Sequence, residues 1–480
     1  MTDIAAPELI GTWVSVIPPL VAIALAITTR QVYLSLFLGI WAGWTLLAGG
    51  DPLAGFAAAV EACVSVFGDA GNTRVIIFSA MIGALITITQ YSGGVEGFVE
   101  ALRRRRFAAQ RRGALLLSWV LGVVVFVESS ITSLVNGAVC RPLFDDQRIS
   151  REKLAYLCDA TAAPVCVLIP LNAWGAYIAE LLSDEGVAEP VEVLLDSIPF
   201  NFYPLLTLTF SLGFVVLLGR DFGPMRRAER RVRTSGQLLR PGAEPVISED
   251  ITGLRPPPGA PRRALNFVLP VLTMVAMMPV GLYLTGDGDL MAGVGSTSVL
   301  WAVIAATVVA FLLAGAQRIV NLKQGTDLFF KGFGGLMPLA VLMVFAFAIG
   351  ATTKTLGTGS YVANLASEVL APQLAPALLF AVGAAIAFST GTSWGTFAIM
   401  LPLALPMAAG LEIPAPLAVA AVLGGGVFGD HCSPISDTTI IASMAAGADH
   451  IDHVNTQLPY ALTVAGVALG AYAIAGALAI

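Results

Sequence analysis

The sequence predicts an all-α integral membrane protein with about ten crossings, two re-entrant hairpins and two broken transmembrane helices. Three observations carry that expectation. Apolar residues make up 56% of the 480 and charged residues only 12%, and the mean hydropathy is +0.81; this is membrane composition and excludes a soluble protein. The apolar runs reach the length that crosses a hydrocarbon layer of about 30 Å. Several of them are over-long and interrupted near the middle by carboxylates, hydroxyls and prolines, which marks irregular backbone at membrane depth.

Residues 13–29 and 33–47 give the first two spans, parted by Arg30, and residues 51–67 form a shorter, mixed segment suited to the interface. The third span, 75–91, is followed by Arg103, Arg104, Arg105, Arg106, Arg111 and Arg112. A cluster of this kind belongs on the cytoplasmic side, so the N-terminus is expected outside, and residues 1–11 lack the charged region and small-residue site of a cleaved leader. Residues 113–141 are too long for one span and too short for two, with Glu128, Ser129 and Ser130 at their middle, so a re-entrant hairpin with a polar tip is expected. Residues 154–182 carry Asp159, Thr161 and Pro164, then Asn172, and read as a broken helix. The exit bears Glu180, Asp184, Glu185, Glu189 and Glu192 without lysine or arginine, as an outer loop would.

Residues 202–218 return inward to an arginine- and proline-rich stretch, 220–263, that reads as a solvated cytoplasmic linker. Residues 264–284 go out, 298–315 come back and 335–350 go out again. Residues 374–407 are over-long with a polar middle from Ser389 to Ser393, residues 416–445 are broken, and 460–480 close the chain with its C-terminus outside. The expected division is a first span at 1–32, a repeat half at 33–219, the linker at 220–263, a linking span at 264–297 and a second half with the final span at 298–480.

The two halves echo each other at an offset of roughly 265 residues. Residues 86–90 (ITITQ) correspond to 349–354 (IGATTK), 126–130 (FVESS) to 388–392 (FSTGT), and 159–164 (DATAAP) to 430–434 (DHCSP). The charge rule starts the first unit inside and the second outside, so the copies would be inverted. Inverted repeats with breaks at corresponding places are the architecture of secondary transporters, and paired breaks favour alternating access over a cation channel.

Residues 424–441, GGGVFGDHCSPISDTTII, concentrate the chemistry. Asp430 and Asp437 are candidate Na+ ligands. A desolvated carboxylate needs a proton or a cation to hold its charge in check, so the two ligands would compete for it. Ser433, Ser436 and Thr438 would add neutral oxygens or cap the half-helix. Asp159 joins the candidates as the repeat counterpart of Asp430. Glu128, Ser129 and Ser130 at one hairpin tip, and Thr390, Thr392 and Ser393 at the other, are candidate walls of the same site. Asn172 is a further candidate, although a helix-to-helix hydrogen bond serves it equally well. His431 is a possible proton relay, whereas His450 and His453, with Asp449 and Asp452, read as a solvated cytoplasmic loop.

The five cysteines form no CxxC pair and read as small buried residues. Clustered basic loops without an aromatic-laced surface exclude nucleic acid, and no GxxxxGK[ST] supports nucleotide coupling. An enzyme using the two aspartates would leave the paired second half without a role. No resident cofactor is expected; Na+ and H+ are transported ions, and the partners are membrane lipid and a small cation or small organic solute.

The run GDHCSPISDTTIIASMAAG, with the HVNTQLPYAL that follows, resembles the signature of the NhaC-type sodium/proton antiporter family, and the likeness extends over about residues 36–462. It implies Na+/H+ exchange across the inner (plasma) membrane, with Asp430, Ser433, Ser436, Asp437 and Thr438 on the motif. Similar proteins also exchange organic anions such as lactate and malate with sodium and protons, so a Na+- or H+-coupled organic anion or amino acid transporter stays open. The resemblance further implies a homodimer built through scaffold spans.

Overall fold

In lipid every backbone polar group must be satisfied within its own segment, so a chain this apolar folds into helices. The computed structural model describes residues 10–29, 32–103, 110–126, 129–245, 256–257, 260–290, 293–358, 361, 364–365, 371–434 and 436–479. Glu128 and Ile435 lie outside them. Among the described residues the only extended pairing is an isolated bridge between Pro245 and Asp449.

In chain order the helices are α1 (Ile17–Thr29), α2 (Val32–Leu47), α3 (Pro52–Ser65), α4 (Ala70–Tyr91) and α5 (Gly94–Arg103), then α6 (Arg111–Val124), α7 (Ser129–Asp146), α8 (Arg151–Ala160), α9 (Ala163–Leu168) and α10 (Ala173–Asp184). They continue as α11 (Pro190–Ser197), α12 (Phe202–Phe210, prolonged by a π-helical turn), α13 (Gly223–Ser235), α14 (Leu265–Thr285), α15 (Gly295–Ala316), α16 (Leu322–Gly335) and α17 (Met337–Thr355). The last five are α18 (Ala375–Thr390), α19 (Ser393–Gly410), α20 (Ala415–Cys432), α21 (Asp437–Ala446) and α22 (His450–Ala479).

Six of these, α4, α14, α15, α19, α20 and α22, are long and apolar enough to cross a membrane, and three bent pairs raise the count to nine if each pair is one span. The sequence reading of about ten crossings counted shorter apolar helices, such as α2, as full spans. By length and composition the protein is multi-pass.

Where the sequence interrupts its own apolar runs, the helices break. Residues 154–182 divide into α8, α9 and α10, with Pro164 in the first turn of α9 and a 44° bend before α10. Gly391 ends α18 in the left-handed region at φ 69°, where a side chain would be strained, and Thr392 caps α19 by accepting from Gly395 N. Pro434 lies between α20 and α21, and the Ser436 side chain accepts from Thr438 N to start the latter.

Helices α1–α5 pack chiefly with α14–α17, and α6–α12 chiefly with α18–α22, except that α10 leans mainly on α15 and α4. In the first group α4 and α16 touch backbone to backbone: a Cβ on Gly83 would stand 2.0 Å from the Gly332 carbonyl oxygen. In the second group α20 lies between α18, α19 and α12, and α21 packs on α7 and α8.

The arginine-rich stretch behaves differently from a solvated linker. Helix α13 exposes Arg226, Arg227, Arg230 and Arg233 but buries Met225, Ala228, Glu229 and Val232. Glu229 accepts from Ser150 N at 2.9 Å and pairs with Lys153 at 3.3 Å and with Arg111. Lys153, with a side chain 0% exposed, also pairs with Asp221 at 2.7 Å, and Arg231 pairs with Glu152 at 2.9 Å. The partners of this stretch, Ser150, Glu152 and Lys153 at the start of α8 and Arg111 on α6, lie far away in sequence, so the local charge run hides them.

Candidate functional site

The α20–α21 break and the start of α19 meet around one carboxylate. Asp430, in the last turn of α20, is 2% exposed. Its Oδ2 accepts from Ser393 Oγ at 2.6 Å. Its Oδ1 accepts from Ser436 Oγ at 2.5 Å and from Thr438 Oγ1 at 3.4 Å. Ser393 is the first residue of α19, and Ser436 immediately precedes α21. Two half-helices therefore present their N-termini, the positive ends of their dipoles, to the same carboxylate. None of the ion pairs among the described residues involves Asp430.

The neighbouring candidates secure the break. Ser433 Oγ donates to Phe388 O at 2.6 Å, tying the end of α20 to the end of α18. Thr439 Oγ1 donates to the carbonyls of Asp430 and His431, both at 3.3 Å. Thr392 caps α19 and also receives Thr396 Oγ1 on its carbonyl at 2.8 Å. Asp437 opens α21; its side chain, and those of Ser130 and Thr390, lie outside the described residues. Ser129 is buried at the start of α7.

Asp159 and Asn172 sit elsewhere in the same bundle. Asn172 accepts from Gly175 N at 3.1 Å and donates to Phe126 O at 3.1 Å and Cys166 O at 2.9 Å, which caps α10 and binds the α9–α10 break to the end of α6. Asp159 Oδ2 accepts from Gln457 Nε2 at 2.8 Å. The same nitrogen also donates to His431 O, so Gln457 on α22 joins Asp159 to the residue beside Asp430. Its Oε1 is 2.9 Å from His453 Nε2, which must then carry the proton. His453 Nδ1 and His450 Nδ1 lie 2.8 and 3.0 Å from Ser443 Oγ, and His450 Nε2 is 2.7 Å from Pro434 O, inside the break itself.

Sequence reasoning placed His450 and His453 in a solvated loop. Instead, Gly447 ends α21 at φ 62°, Asp449 accepts from Asp452 N at 3.0 Å to start α22, and His453 is 0% exposed. Gln457 and Tyr203 were not singled out. Gln457 carried a usable signal, one turn beyond His453 and closing the polar start of α22 before its apolar length; Tyr203, 2.7 Å from His431 Nδ1, carried none.

On its other side Ser393 adjoins an aromatic layer. Tyr177 stacks on Trp394 with centroids 4.6 Å apart and planes 9° apart, and its hydroxyl donates to Trp394 O at 3.0 Å. Phe347 of α17 packs edge-on against Tyr177 at 6.0 Å.

A multi-pass helical bundle with an ionisable group held between broken helices is a secondary transporter. Residues 184–477 match the Na+/H+ antiporter family, and the chain belongs to that family. It is 35% identical to an uncharacterized protein of Haemophilus influenzae, over 96% of this chain and 90% of that one. It is also 30% identical to the malate-2H(+)/Na(+)-lactate antiporter of Bacillus subtilis, over 31% of each chain. The solved structure of the YdaH transporter of Alcanivorax borkumensis shares the fold at a TM-score of 0.56 and 15% identity, covering 96% of this chain and 98% of that one.

Proposed function

We propose that the protein exchanges Na+ for H+ across the membrane, with Asp430 as the group both ions use in turn. The observation that carries this reading is a carboxylate 2% exposed, ringed by the hydroxyls of Ser393, Ser436 and Thr438, with no ion-pair partner among the described residues. Two helix N-termini offset part of a buried negative charge, and a bound proton or small cation offsets the rest. Hydroxyl oxygens donate to the carboxylate when the cation is absent and turn their lone pairs to it when present, so the same three residues serve both forms. Asp437, at the first position of α21, adds negative charge where a helix start favours it.

The sequence correspondence of 159–164 with 430–434, together with breaks at both places, supports inverted halves and alternating access. The two helix groups are then the parts that move, with the breaks carried on one of them. A carboxylate ringed by hydroxyls is the wrong lining for an organic anion, which favours the cation reading at this site.

The test uses proteoliposomes containing a pH dye. Sodium, lithium, potassium and then lactate or malate are added to wild type and to Asp430→Asn. Sodium alone should move protons in wild type, and the variant should fall to the protein-free rate. Proton movement that requires an organic solute, or a variant that still responds to sodium, would sink the assignment.

A further inference from the structure

A cavity of about 260 Å³ opens near the aromatic layer, lined by the end of α3, the start of α4, the end of α10, the last turns of α17 and Pro402 of α19. Asp69, Asn72, Asp184, Glu185 and Lys354 line it together with Phe347, so three carboxylates accompany one ammonium. Most of these polar groups already have local tasks. Asp69 accepts from Asn72 N at 2.8 Å to cap α4, and Lys354 Nζ donates to Asp184 O. One group does not. Asn72 is 7% exposed, and its side-chain oxygen has no hydrogen-bond partner among the described residues. A buried acceptor left bare is costly, so a donor is wanted there.

We propose that this cavity binds an amino-acid-sized solute bearing ammonium and carboxylate groups, separate from the Asp430 site. An ammonium placed among Asn72 Oδ1, Asp184 and Glu185 satisfies the bare acceptor and offsets the excess carboxylate charge. Lys354 keeps two further N–H donors after bonding Asp184 O, and these take the solute carboxylate. With three carboxylates against one lysine, a solute with two ammonium groups and one carboxylate matches the lining better than a neutral zwitterion does. The cavity's volume is that of a molecule with several heavy atoms and far exceeds a bare sodium ion. Phe347 of its lining packs edge-on against Tyr177, which stacks on Trp394 beside Ser393, so the cavity adjoins the Asp430 site without sharing its residues.

The test is calorimetric titration of the purified full chain in detergent, at fixed ionic strength and in NaCl. The probes are L-lysine, cadaverine, which keeps both ammonium groups without the carboxylate, and L-lactate, which has no ammonium. L-lysine should bind, cadaverine about tenfold more weakly, and lactate not at all. Asp184→Asn should weaken both amines about tenfold or more, whereas Lys354→Met should erase the advantage of L-lysine over cadaverine. Lactate binding as well as L-lysine, or an Asp184→Asn protein that binds L-lysine like wild type, would overturn the proposal. Should Asp184→Asn fail to fold, Lys354→Met still decides, because that side chain is exposed and its effect is a ratio between two probes. Binding is read without ion flux, so failure here and failure of the Asp430 assignment are separate results.

Discussion

Ser393 Oγ donates to Asp430 Oδ2 at 2.6 Å, joining the first turn of α19 to the last turn of α20 across a bundle interior closed to water. A hydrogen bond to a charged group contributes about 1.5–3 kcal/mol, equivalent to a ten- to hundredfold change in an equilibrium constant. Ser393→Ala is therefore expected to raise the sodium concentration needed for half-maximal proton movement by about tenfold or more, with a smaller effect on the maximal rate. Ser393→Thr, which keeps the hydroxyl, should recover most of the loss. Sodium titrations in proteoliposomes measure both, and an alanine variant indistinguishable from wild type would remove Ser393 from the cation site.

Gln457 gives a second handle, because its amide satisfies Asp159, His431 O and His453 together. Gln457→Leu keeps the bulk but removes the amide from two buried titratable side chains, Asp159 and His453, at about 1–3 kcal/mol for each hydrogen bond lost in the interior. The expected result is a melting temperature several degrees lower and proton exchange reduced at least about tenfold, since the end of α20 loses its tie to α8 and α22. Intact exchange at a lowered melting temperature would show that the tie is structural alone.

The breaks were legible in the sequence because helix-breaking and polar residues interrupt apolar runs locally: Pro434 marks one, Gly391 and Thr392 another, Pro164 a third. Asp430 was legible for the same reason, a carboxylate where lipid would exclude it. The pairing of Asp430 with Ser393 rather than with Asp159 was not, since the repeat offset aligns Asp159 and Asp430 in sequence while side-chain direction brings Asp159 to Gln457. The burial of His453 escaped because DHIDH reads as a polar loop until the cap at Asp449 turns one face of it inward. Lys153 and Glu229 escaped too, as a charge run shows its own sign but not a partner some seventy residues away.

Glu229 allows a prediction with pH. Burial alone would push its carboxyl up, but Lys153, Arg111 and the Ser150 amide outweigh burial and hold it below its ordinary value of 4.5. A carboxylate depressed in the folded state contributes stability that is complete above its unfolded value and is lost as pH falls through the folded one. Glu229→Gln should therefore lower the melting temperature at neutral pH, by the equivalent of about 2 kcal/mol given that Lys153 keeps Asp221. The gap from wild type should close as pH falls below about 4. Thermal scans from pH 3 to 8 by intrinsic fluorescence check this, and a gap that widens toward acid would contradict the ion-pair account.

The crossing of α4 and α16 makes the last prediction and supplies its own control. At Gly332 an added Cβ would lie 2.2 Å from the Gly83 carbonyl oxygen, and at Gly83 2.0 Å from the Gly332 carbonyl oxygen, so the obstacle on each side is backbone that no rotamer change relieves. Two residues along the same helix, Gly334 has nothing within 4 Å. Gly332→Ala must push the helices apart, at about 1–3 kcal/mol for overpacking. Gly334→Ala adds a methyl group in open space and gains some of the roughly 1 kcal/mol by which alanine exceeds glycine in helices. Melting temperatures of the two variants in the same detergent should accordingly move in opposite directions, and Gly83→Ala should behave like Gly332→Ala. If both α16 substitutions shift stability alike, the close approach of these helices does not hold the frame together, and the side chains around the crossing must do so.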